Sequence, residues 1–112
     1  MKVTQGDIVS IDFPFSDGTE TKRRPALVLS GESINRTGDL LLMQITSKSR
    51  RDGMNLPLEN NELTSPLPLK SFLRLHKVFA LDKSLVIVKL SHLESTKFNQ
   101  VIDALFNLLK EK

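Results

Sequence analysis

The sequence predicts a mainly β protein, an antiparallel barrel or half-barrel with one C-terminal helix. Three observations predict it. Short β-branched or wholly apolar runs recur between residues 7 and 90. The segments between them are too short for the helical crossovers that parallel strands need. The apolar spacing changes from two residues to three and four only in the last fifth of the chain.

Asp7 to Phe13 alternates, with Ile8, Ser10 and Asp12 on one face and Val9, Ile11 and Phe13 on the other, as a strand with one face in a core does. Pro14 and Ser16-Asp17-Gly18-Thr19 break it into a loop that ends on Lys22-Arg23-Arg24. Pro25 to Leu29 is expected to be a strand buried on both faces, its proline at the first position, where a missing donor is tolerated. Gly31 to Gly38 reads as a polar turn and Leu40 to Thr46 as a further interior strand. From Ser47 to Pro68 the chain is polar and proline-punctuated, with one short extended piece near Leu56–Leu58. Ser71 to Phe79 alternates again, Leu73 and Leu75 opposite Phe72, Arg74 and His76, and Leu85 to Leu90 is the last strand. Phe98, Val101, Ile102, Leu105 and Leu109 then form a helical stripe, core or dimer surface. Ser91-His92-Leu93-Glu94 has capping-box spacing, Ser95 is a rival cap, and Lys110 and Lys112 are expected in the last turn.

The chain has 112 residues, which is one domain, 1–112, with no repeat or linker. With no cysteine it has neither a disulfide framework, a thiolate metal site nor a cysteine nucleophile. No apolar run is of signal-peptide or membrane-spanning length, so a cytoplasmic location and no membrane partner are expected. The net charge of +3 and pI near 9.4 lean toward anionic partners. The charge gathers in two clusters, Lys22-Arg23-Arg24 and Lys48, Arg50 and Arg51, both at edges of predicted strands.

Gly6-Asp7-Ile8-Val9, then after a loop Arg24-Pro25-Ala26-Leu27-Val28-Leu29-Ser30, resembles the opening signature of the MazF/PemK toxins. Ile45-Thr46-Ser47-Lys48 resembles their second motif and Arg74-Leu75-His76-Lys77-Val78-Phe79-Ala80-Leu81-Asp82-Lys83 their third. The resemblance implies an SH3-like barrel that acts as a homodimer and cleaves single-stranded RNA without a metal or cofactor. It also implies a cognate antitoxin that blocks the RNA groove. The family's catalytic arginine matches Arg24 and its catalytic threonine matches Thr46. Glu20 is the nearest counterpart, offset by position, of an acidic residue in the family's first loop. Gln5 stands where a basic residue is common, and Trp and Tyr are absent.

The residue types suit that chemistry. Metal-free RNA cleavage uses the substrate's own 2′-OH, so the protein must assist proton transfer and stabilise the phosphorane. A guanidinium such as Arg24 is permanently charged and can bond two phosphate oxygens, and the following proline biases it to extended backbone. Thr46 can donate a hydroxyl hydrogen bond to the same phosphate, with Ser47 as the weaker neighbour. Lys22, Arg23, Lys48, Arg50 and Arg51 are candidate phosphate contacts or, equally, solvated charges. Phe15 is a candidate to stack a base, or to pack beneath its loop. His76, on the face of Arg74, is a lone histidine or a proton-transfer helper lining a dimer cleft, whereas His92 at the helix start reads as structural. No spacing supports a metal site. The alternatives are a non-catalytic SH3-like RNA- or protein-binding module and a toxin of the same fold that acts on gyrase.

Overall fold

The computed structural model describes residues 2–13 and 22–111. Its strands are β1 (Asp7–Phe13), β2 (Lys22–Val28), β3 (Asp39–Thr46), β4 (Asn55–Leu58), β5 (Ser71–Asp82) and β6 (Val86–His92), with helices α1 (Glu32–Asn35) and α2 (Ser95–Leu109). The strands form one six-stranded sheet in the order β4-β5-β3-β2-β1-β6. Every pairing is antiparallel. A bridge between Leu63, beyond the edge strand β4, and Leu93, beyond the other edge strand β6, draws the two margins together. The predicted barrel with its terminal helix is the architecture observed.

The inner strands bury both faces because their side chains alternate between two cores. Ile8, Leu27, Met43, Ile45, Leu73 and Leu75 face α2, which contributes Val101 and, partly buried, Phe98, Ile102, Leu105 and Leu108. Val9, Ile11, Ala26, Val28, Leu40, Leu42 and Leu81 form the second core on the opposite face. β1 therefore buries both sides over its first half, Asp7, Ile8 and Val9 alike, where the alternation predicts a core on one face. An ion pair of Lys97 and Glu62, 3.3 Å apart and largely shielded, ties α2 to the segment after β4.

Several elements depart from the sequence reading. β2 begins at Lys22 rather than Pro25, because the hairpin with β1 continues to Phe13↔Lys22. The turn after Leu29 contains the one-turn helix α1, held by a hydrogen bond from Ser30 Oγ to Asn35 Oδ1 and another from Asn35 Nδ2 to the Ser30 carbonyl. Neither capping serine is used, since Glu94 holds the cap position of α2 without a side-chain cap bond. Ser91 instead lies in β6, where its hydroxyl accepts from the Ser65 N–H at 3.1 Å and donates to the Ser65 carbonyl at 2.8 Å across the closing seam. Lys110 stands just past the last turn of α2 as its C-cap, and Leu109 is exposed rather than core.

The Gly6-Asp7 pair anchors the start of the sheet. Asp7 is wholly buried, yet its carboxylate accepts from the Thr4 N–H at 2.8 Å and hydroxyl at 3.1 Å, and lies 3.0 Å from Lys89 Nζ and 2.7 Å from His92 Nδ1. Burial pushes its pKa up, but the Thr4 N–H, His92 and Lys89 together outweigh that and hold it below the usual carboxylate value. Gly6 has φ of +93°, and a Cβ there would approach the His92 ring to 3.0 Å, so glycine suits both the backbone and the space. His92 is thus structural, at the end of β6 rather than within the helix start.

Asp7→Asn is expected to lower stability by about 1.5–3 kcal/mol at pH 7, the range for hydrogen bonds to a charged group, as read by urea denaturation. Because the folded-state pKa is depressed, the stabilisation is full above the ordinary value of about 3.9 and is lost as pH falls through and below it. The gap between parent and variant should therefore narrow as pH falls below about 4. A gap that stayed constant over that range would contradict the assignment.

Candidate active site

The site opens where β2 and β3 part. Their ladder runs from Val28↔Leu42 to Ala26↔Gln44 and stops there. The next residue of β2 is Pro25, which has no N–H to continue a ladder. Carried two residues further, the same register sets Arg24 across from Thr46. Arg24, Ala26 and Val28 share one side of β2, as Thr46, Gln44 and Leu42 share one side of β3.

The gap between the two strands becomes a groove of about 790 Å³. Lys22, Arg23, Arg24, Lys48 and Arg50 line it, with Thr46 and Ser47 among them and Leu67, Leu69 and Leu90 as apolar wall. No carboxylate is among these lining residues. A concave surface carrying one sign of charge focuses potential and gathers counter-ions of the other sign. Arg23 has a 4.0 Å contact with Asp12, but both side chains are largely exposed and the pair holds little. Arg24 is half-buried. Thr46 Oγ1 accepts the Lys48 N–H at 3.1 Å, and since a hydroxyl has one proton and two lone pairs, that proton stays available for donation.

A second cavity of about 330 Å³ adjoins the groove and shares Gln44, Thr46 and Arg50 with it. Arg74, His76 and Lys77 complete its lining. They arrive there through an irregularity in β5. Met43 pairs with Val78 and Ile45 with Leu73, so Arg74 to Lys77 all stand opposite Gln44 alone. The extra residues bend the strand and re-aim its side chains, as bulges do. His76 is exposed, whereas Arg74 is buried and makes a two-pronged pair with Asp52, Nη1 to Oδ1 at 3.0 Å and Nη2 to Oδ2 at 2.8 Å. That pairing holds the Asp52 carboxyl well below the usual carboxylate range.

Of the residues singled out in the sequence, Lys22, Arg23, Arg24, Thr46, Ser47, Lys48 and Arg50 come together in the groove, and His76 lies in the adjoining cavity. Arg51 is exposed and lines neither. Phe15 and Glu20 lie outside the described residues. Gln44, Arg74 and Lys77 were not among the expected site residues, and the Asp52-Gly53 turn dipeptide was the one local signal near the Arg74 partner. Among the described residues, no three of His, Asp and Glu gather as metal ligands would, and no helix is long and apolar enough to cross a membrane.

Comparison of the sequence with curated proteins returned no match. Solved structures do match the fold. A MazE-MazF structure from Deinococcus radiodurans superposes with a TM-score of 0.78 at 23% identity, covering 98% of both chains. MazF alone from the same organism gives 0.77 at 24% identity over 97% of each chain. A structure described as an endoribonuclease in complex with its cognate antitoxin, from a mycobacterial species, gives 0.78 at 18% identity, covering 99% of this chain and 98% of the other. Residues 4–109 match the sequence profile of one family over nearly the whole chain. The chain belongs to the PemK-like, MazF-like toxins of type II toxin-antitoxin systems.

Proposed function

We propose that residues 1–112 form a single toxin domain that cuts single-stranded RNA in the β2–β3 groove without a metal, acting as a cytoplasmic homodimer restrained by an antitoxin. The observation that carries this reading is that Arg24 and Thr46, at the ends of neighbouring strands, line one cationic groove. The family and the endoribonuclease named among its structural neighbours support it.

In the reaction, the ribose 2′-oxygen attacks the adjacent phosphorus, forming a 2′,3′-cyclic phosphate as the bond to the 5′-oxygen breaks. The 2′ proton passes to a base, and the departing 5′-oxygen receives a proton. Arg24 bonds the non-bridging oxygens, whose charge grows in the transition state, and Thr46 donates its hydroxyl to the same phosphate. Ser47, Glu20 and His76 are the candidates to assist proton transfer, His76 from the cavity that shares Thr46. Lys22, Arg23, Lys48 and Arg50 hold flanking phosphates, Arg51 adds a further cation from the exposed turn, and Phe15 is the candidate to stack a base. An antitoxin with an acidic segment fits the same groove by charge, which explains inhibition by occupancy. The MazE-MazF complexes provide the precedent for such a partner.

Incubation of the purified protein with a long single-stranded RNA in EDTA is expected to give site-specific cuts. Arg24→Ala should slow them by about 10²–10³-fold, the scale for losing one donor to a developing oxyanion. Binding without cuts would favour the non-catalytic module, and toxicity that persists in Arg24→Ala with intact cellular RNA would favour gyrase. Replacing Lys48 and Arg50 with Ala should weaken RNA binding across sequences. It should also flatten the dependence of log K on log salt by about 0.7 for each phosphate that is no longer neutralised. An unchanged slope would remove these two side chains from the RNA path.

A further inference from the structure

We propose that Arg74 is a positioning residue for the cleavage, setting Thr46 and the basic turn after it through a continuous chain of hydrogen bonds; this rests on the nuclease reading of the groove.

The chain starts inside the protein. Arg74 is 6% exposed, and its guanidinium is engaged by the two Asp52 oxygens and by Asn55 Oδ1. Asn55 lies directly across the β4–β5 ladder from Arg74. Its Nδ2 donates to the Lys48 carbonyl at 3.0 Å, and the Lys48 N–H donates to Thr46 Oγ1 at 3.1 Å. Two further bonds close the turn: the Met54 N–H donates to Asp52 Oδ1 at 3.0 Å, and the Leu75 N–H to the Met54 carbonyl at 2.8 Å. Both ends of the segment between β3 and β4 are thereby referred to one buried side chain.

The physical need for such an anchor is plain. Residues 47–53 are exposed and carry Lys48, Arg50 and Arg51, which repel one another when no anion is present. Their backbone has no strand partner over that stretch, and ordering it costs conformational entropy. A bidentate guanidinium–carboxylate pair is directional as well as strong, so it fixes orientation where a lysine would fix only distance. Asp52 neutralises Arg74, and Arg74 therefore acts on the turn rather than on the RNA. With the Lys48 N–H occupying one lone pair of Thr46, the hydroxyl keeps its proton free to donate to a phosphate in the groove that Thr46 lines.

Two measurements on Arg74→Met and Asn55→Ala test this, the second variant keeping the Arg74–Asp52 pair so that folding is not at stake. Amide hydrogen exchange should rise at least about tenfold at Lys48 in both variants while Leu42 and Met43 keep their protection. With an RNA substrate, kcat should fall by about 10–100-fold and KM change by less than about threefold, as misplacement of a catalytic group predicts. Unchanged Lys48 exchange in both folded variants, or an activity deficit carried by KM alone, overturns the proposal. Should the parent chain cut no RNA while Arg24→Ala binds it equally well, the nuclease reading fails, and the exchange data still decide whether Arg74 orders the turn.

Discussion

The site depends on the register in which β2 pairs with β3. Antiparallel strands hold opposite residues about 5 Å apart, and a slip of one residue would send every side chain to the other face. Leu27 and Met43 lie in one core, and Ala26, Val28 and Leu42 lie in the other. A slip would exchange those two sets, whose volumes differ. Packing thus selects the register at positions 26–28, and beyond the end of that ladder Arg24 and Thr46 both line the groove. The placement of these two side chains in one groove is thus inherited from the cores. Pro25 supplies the complementary feature, because a strand that cannot donate at that point lets the groove begin without leaving a ladder half made.

Around this frame the protein places its polar groups in two ways. Asp7 and Arg74 are buried charges that are fully matched, one by Thr4, His92 and Lys89, the other by Asp52 and Asn55. No buried side-chain polar atom lacks a partner among the described residues. The lysines and arginines of the groove line a concave face on which, among the described residues, no carboxylate joins them. The molecule thereby combines a rigid, neutralised interior with a surface whose excess charge faces an incoming polyanion.

Much of this was legible in the amino-acid sequence because period-two alternation and the terminal helical stripe report burial directly. β1, β3 and α2 follow from such patterns. The start of β2 does not, since Lys22 to Arg24 join the sheet through backbone pairing with β1, which is blind to side-chain polarity. α1 is likewise invisible to propensity, its turn being held by the Ser30–Asn35 bonds. Arg24 and Thr46 were indicated by family resemblance, and no spacing rule could have joined them without the register. Arg74 escaped notice for a further reason. Simple alternation places it on a face with His76, and both do line one cavity, but only the folded strand shows Arg74 buried against Asp52 while His76 stays exposed.

The strand order has a consequence for how the molecule comes into being. β1 lies between β2 and β6, which follows it late in the sequence, and the Asp7–His92 hydrogen bond spans 85 positions. Until β6 has been synthesised, the outer edge of β1 has no neighbour, and the Asp7 carboxylate lacks two of its partners. Nascent chains that end early therefore retain an open sheet margin prone to pairing with other chains. Closure of the barrel therefore waits for β6, and a product that stops short of it leaves β1 without its outer neighbour.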